Sequence, residues 1–141
     1  MKILIVEDDR DYRALLYELL HSMGHDIMAV CDALHAVALL DEGNNGIDLV
    51  VLDLNMPRLG GHEIMETYAG WSKCRAHFII MSGCFDPERY KDHPKVVGCL
   101  HKPITNDALR QMVAKAQGVV AAAKAATPTS ALAPDPAVPD A

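Results

Sequence analysis

The stretch Leu49-Val50-Val51-Leu52-Asp53 constrains the fold of this chain most. Its consecutive apolar residues leave no polar face, so a strand built from them must be covered on both sides. Such strands belong to parallel sheets with helices on either face, and chemistry in those sheets gathers at the carboxyl ends of the strands. Asp53 stands at that end, and Pro57 breaks the chain into a loop. Apolar runs at 3–6, 27–30, 78–81 and 96–100 read as four further strands. Between the first two, Tyr12, Leu15, Leu16, Leu19, Leu20 and Met23 recur at helical spacing, and Gly24 is placed to end the helix. Residues 33–40 read as a second helix, stopped by Gly43-Asn44-Asn45-Gly46. A short third helix follows Gly60-Gly61 and carries Ile64, Met65 and Tyr68. Residues 86–93 make a poor, polar fourth helix closed by Pro94. The last opens near Thr105, with Leu109, Met112, Val113 and Ala116 on its inner face. Strands alternating with helices predict an α/β fold: a parallel five-stranded sheet covered on both faces.

The 141 residues suffice for one domain with a real core, and half of them are apolar. A net charge of −6 argues against direct nucleic-acid binding. No apolar run is long enough to span a membrane. The apolar start could open a signal peptide, but Glu7-Asp8-Asp9 cuts it off too early. Cys31, Cys74, Cys84 and Cys99 form no CxxC pair and have no clustered histidines, which predicts reduced core residues and a cytoplasmic protein. His62-Glu63 lacks the second histidine of a metalloprotease helix, because Glu66 stands in its place. From about Gly118 the composition turns to Ala, Pro, Ser and Thr. This divides the chain into a domain at 1–120 and a disordered tail or linker at 121–141. Alanine-rich 119–126 could extend the last helix.

The strand ends supply a constellation. Strand one delivers Glu7, Asp8 and Asp9, strand three Asp53, strand four Ser82 and strand five Lys102. Carboxylates crowded on a low-dielectric rim repel one another and call for positive charge. Lys102 supplies one unit, and an all-oxygen site suits Mg²⁺, with Mn²⁺ as an alternative ion. A carboxylate can attack phosphorus and form an aspartyl phosphate. Phosphoryl transfer mainly needs positioning and charge neutralisation. The Ser82 hydroxyl can donate to a transferred oxygen.

These stretches resemble the receiver domain of two-component response regulators. The likeness rests on Ile3-Leu4-Ile5-Val6-Glu7-Asp8-Asp9, on Leu52-Asp53-Leu54-Asn55-Met56-Pro57 with Gly61, on Met81-Ser82-Gly83 and on His101-Lys102-Pro103, in the family's order and near its spacings. It covers about residues 1–120. The resemblance implies a flavodoxin-like (βα)5 doubly wound sheet with strand order 2-1-3-4-5. It implies that Asp53 accepts a phosphoryl group from a sensor histidine kinase or histidine phosphotransferase. Asp8, Asp9, Asp53 and the main-chain carbonyl of Asn55 would hold the cation. Ser82 would be the switch hydroxyl, Lys102 would pair with the phosphoryl group, and the Lys102–Pro103 bond would be cis. Phosphorylation from small donors and self-catalysed loss of phosphate follow from the same likeness. So does a switched face for a downstream protein target, with a homodimer compatible.

Three departures stand out. Cys99 occupies the place of the family's aromatic switch residue. The fourth helix is weak. Gly60 replaces an Asp or Asn, which would loosen the loop after Asp53. Two rival readings remain: an interaction module that takes no phosphate, and a Mg²⁺-dependent phosphohydrolase with an aspartyl intermediate. The hydrolase would need an acid two residues past its nucleophile, where this chain has Asn55.

Overall fold

β3 (Leu49–Asp53) is buried along its whole length and lies at the centre of the sheet. The computed structural model describes residues 1–41, 46–56, 60–66, 75–83, 90 and 92–126. Around β3 stand β1 (Lys2–Val6), β2 (Asp26–Val30), β4 (His77–Ser82) and β5 (Val96–His101), all parallel, in the order β2-β1-β3-β4-β5. The helices are α1 (Arg10–Ser22), α2 (Ala33–Asp41), α3 (Gly61–Ile64) and α4 (Asn106–Ala126). The weak helix expected over 86–93 falls largely outside the described residues, as does Tyr68.

Strand residues alternate between faces, and this splits the core in two. Leu4, Val6, Val50, Leu52, Phe78 and Ile80 pack with Ala33, Ala36 and Leu40 of α2 and with Ile64 and Met65. Ile3, Ile5, Leu49, Val51, Ile79 and Met81 pack against Leu16 and Leu20 of α1 and Leu109, Val113 and Ala116 of α4. All strands run the same way, so their carboxyl ends share one rim. Leu15, expected on the inner stripe of α1, is instead half exposed. Leu16 and Leu20 are buried against the sheet, with Tyr12, Leu19 and Met23 packed partly buried beside them. Gly24 ends that segment at φ 90° and donates its N–H to the His21 carbonyl at 2.9 Å.

α4 continues past residue 120 to Ala126, so 121–126 are helical rather than tail. Alanines favour the helix, Val120 is buried on it, and Lys124 pairs with Asp48 Oδ1 at 3.0 Å. Two cysteines depart from the core expectation: Cys31 is exposed and Cys99 half-buried. Cys74 and Cys84 lie outside the described residues.

Candidate functional site

The rim opens where β1 ends. Glu7 follows Val6 and is fully buried, with its N–H given to the Val30 carbonyl at 3.2 Å. Arg13, one turn into α1, donates Nη1 to the Glu7 carbonyl at 2.9 Å. Asp53 ends β3 and is 1 % exposed. Its Oδ1 accepts the Asn55 N–H at 3.0 Å, while the Leu54 N–H goes to the Met81 carbonyl at 3.0 Å. The Asn55 N–H therefore aims the carboxylate, while the Leu54 bond ties the start of the loop to β4. Lys102 follows β5 and reaches across the sheet ends. Its Nζ donates to Glu7 Oε1 at 2.7 Å and to Asp53 Oδ2 at 3.2 Å.

Glu7, Asp8 and Asp53 bring carboxylate oxygens within 4.8 Å of one another. Asp9, expected as a cation ligand beside Asp8, is turned to another task. It caps α1, its Oδ1 accepting the N–H groups of Asp11 and Tyr12 at 3.0 and 3.1 Å. Its own N–H donates to Glu7 Oε2 at 3.1 Å. Glu7, not Asp9, completes the acidic group. The signal was present in the sequence: an Asp immediately before the first helical residue reads as a cap.

The charges do not balance. Burial, joined by the nearby Asp53 charge and opposed by Lys102, pushes the Glu7 carboxyl up from 4.5 to about 7. Burial works against the Lys102 ammonium, but hydrogen bonds and charges from Glu7 and Asp53 outweigh it and raise its pKa. One ammonium thus faces three carboxyls, and a proton on Glu7 partly relieves the excess. An oxygen-only, anion-rich group of this kind fits a hard divalent cation, with Glu7, Asp8 and Asp53 as the ligands at hand.

Ser82 is fully buried at the end of β4, and its carbonyl accepts the Lys102 N–H at 2.8 Å. The Lys102–Pro103 peptide is cis. Asn55 is exposed at the loop start. Cys99 packs against the α2–α3 side of the core, which also holds buried Tyr90, and the Tyr90 hydroxyl is hydrogen-bonded to His62 Nδ1 at 2.8 Å. Gly60 offers no side chain to cap α3, but Glu63 Oε1 accepts the Gly60 N–H at 2.8 Å and ties the loop from the other side.

Tyr12 is a site neighbour that sequence reasoning placed only in the core. Lys102 Nζ lies 4.7 Å from its ring centroid, and its hydroxyl accepts the Ile104 N–H at 3.3 Å. The two contacts join α1 to a loop ninety residues on, so nothing local could reveal them. Tyr12→Phe should cost about 1 kcal/mol through the lost acceptor. Tyr12→Leu should lose roughly another 0.5–1 kcal/mol with the ring–cation contact. Urea unfolding of both variants checks the order.

The response regulator receiver domain family matches residues 3–114. The chain is 31% identical over 149 aligned residues to the virulence sensor protein BvgS of Bordetella pertussis, covering 100% of this chain and 12% of that protein. It is 30% identical over 115 residues to the sensor histidine kinase RcsC of Salmonella typhi, covering 81% of this chain and again 12% of the relative. It therefore spans only a small part of the length of these relatives. A response regulator receiver domain protein from Clostridium thermocellum superposes with a TM-score of 0.74 over 84% of this chain and 94% of that one, at 23% identity, which shows a shared fold.

Proposed function

This chain belongs to the response regulator receiver domain family of two-component systems, and from that premise we propose that Asp53 accepts a phosphoryl group from a sensor histidine kinase or histidine phosphotransferase. One observation carries the reading: a buried strand-end carboxylate is held by backbone on Oδ1 and faced by a lysine that bridges it to Glu7. In the transfer, an Asp53 oxygen forms a bond to phosphorus as the bond to the donor's imidazole nitrogen breaks, and that electron pair leaves with the donor. Lys102 neutralises charge on the transferred oxygens, and Ser82 donates its hydroxyl to one of them. A Mg²⁺ or Mn²⁺ ion held by Glu7, Asp8, Asp53 and the Asn55 main-chain carbonyl would supply the remaining positive charge.

The domain would work as a cytoplasmic signalling module rather than as an enzyme with its own substrate. Among the described residues no helix is long and apolar enough to cross a membrane. The phosphorylated form would present a changed face to a downstream protein. With Cys99 in place of an aromatic ring, that change would run through other contacts.

Intact mass after incubation with acetyl phosphate tests the reading. Wild type with Mg²⁺ should gain a single phosphoryl adduct that Asp53→Asn and EDTA each abolish. Absence of the adduct together with absence of fluoroberyllate binding would favour the phosphate-independent module. Rapid multiple turnover of phosphate esters would favour the hydrolase.

A further inference from the structure

His35 follows Cys31 by only four residues, and the turn into α2 brings their side chains together with that of Asp32. Cys31 and Asp32 lie where β2 passes into α2, and His35 stands in the first turn of that helix. None of the three takes part in the contacts among Glu7, Asp53 and Lys102. We propose that Cys31, Asp32 and His35 form a second metal site, which takes a borderline-soft divalent ion of the Zn²⁺ class.

The geometry carries this. One ligand atom from each residue lies within 4.8 Å of the other two. His35 Nδ1 is 3.4 Å from Asp32 Oδ1, and Cys31 Sγ is 3.9 Å from Asp32 Oδ2. Bonds of about 2.0–2.3 Å to a tetrahedral zinc ion put neighbouring ligand atoms about 3.3–3.8 Å apart. The His35–Asp32 pair stands at that spacing and the Cys31–Asp32 pair just beyond it, the two running to different oxygens of the one carboxylate. Cys31 and His35 are exposed, so small rotations close the third without disturbing the core.

The carboxylate is the fixed member. Asp32 Oδ1 accepts the His35 N–H at 2.9 Å and caps α2. That hydrogen bond fixes the carboxylate at the start of the helix. The positive end of α2 opposes a cation here. Two anionic ligands, the carboxylate and a thiolate formed as the ion displaces the thiol proton, offset it. Sulfur and imidazole nitrogen select zinc-like ions over Mg²⁺, which prefers oxygen throughout. The fourth tetrahedral position is left to water.

The test uses the untagged, reduced chain titrated with Co²⁺ in excess Mg²⁺, which occupies the oxygen-only rim. Wild type should develop a near-ultraviolet thiolate-to-cobalt band with the visible bands of a four-coordinate ion, and Zn²⁺ should bleach both. Cys31→Ser should abolish the thiolate band. His35→Ala should weaken Co²⁺ binding at least about tenfold, the lower end of what even outer-sphere partners contribute. Cys99→Ser should leave the spectrum unchanged. Both substituted site residues are exposed, and circular dichroism verifies folding. The proposal is overturned by a wild type without the band, by a band that survives Cys31→Ser or is lost in Cys99→Ser, or by His35→Ala titrating as wild type. None of these outcomes depends on phosphorylation of Asp53.

Discussion

Gly61→Ala should destabilise the chain by about 2–3 kcal/mol, the cost of overpacking a rigid site, and should slow phosphoryl uptake at Asp53. A Cβ on Gly61 would lie 2.8 Å from Leu54 Cα and closer still to the Asp53 carbonyl oxygen. Both are backbone atoms at the buried end of β3, where the Leu54 N–H is committed to Met81, so neither can yield cheaply. Alanine's better helix propensity returns at most about 1 kcal/mol, and the backbone overlap outweighs it. Gly98 provides the control. Its added Cβ would meet only Sδ and Cε of Met112, the far end of a flexible side chain. Gly98→Ala should therefore cost about 1 kcal/mol or less, because methionine readily finds another rotamer. Urea unfolding of both variants decides it, and equal costs would refute the close-approach argument.

Glu7→Gln should stabilise the metal-free chain at pH 8 and mildly destabilise it at pH 5. The Glu7 pKa is about 7 in the fold against an ordinary 4.5. Between those values the folded chain holds a proton that the unfolded chain has lost. Stability therefore falls as pH rises from 4.5 to 7. The full difference corresponds to about 3 kcal/mol as an upper figure. Glutamine cannot ionise, so it escapes that loss. Its single oxygen cannot accept from both Asp9 N–H and Lys102 Nζ, which costs about 1–2 kcal/mol at every pH. The balance is a gain of about 1–2 kcal/mol at pH 8 and a loss of similar size at pH 5. Buried His25 and His77 have pKa values lowered chiefly by burial, and each costs stability as pH falls below 6.5. Their contribution cancels in the difference between variant and wild type. Urea midpoints in EDTA across pH 5–8 give that difference, and a value constant with pH would sink the argument. Saturating Mg²⁺ should erase the variant's advantage, because a cation favours ionised Glu7.

Much of the fold was legible because it rests on local signals. A run with no polar residue from Leu49 to Leu52, β-branched at its middle and closed by a loop at Pro57, reads as a strand covered on both faces, and β3 is that strand. The two-sided core followed from strands alternating with helices, and the strand order was implied by the family resemblance that the four motifs carry. Leu15 was misplaced because apolar spacing gives the direction of a helix face but not its width. The sequence left 119–126 open between helix and linker because alanine-rich helix and alanine-rich linker share a composition. What holds 121–126 in the helix is packing at Val120 and a partner, Asp48, far away in the chain.

The sequence by itself determined the architecture and the polar residues brought to the strand ends, since periodicity and motif spacing are properties of neighbours along the chain. Only the tertiary structure decided which of those residues meet. It gave Glu7 to Lys102 and set Tyr12 beneath the lysine. The reason is physical: a carboxylate's role depends on which donor lies within about 3 Å of it. Across ninety residues that is settled by how strands and helices pack.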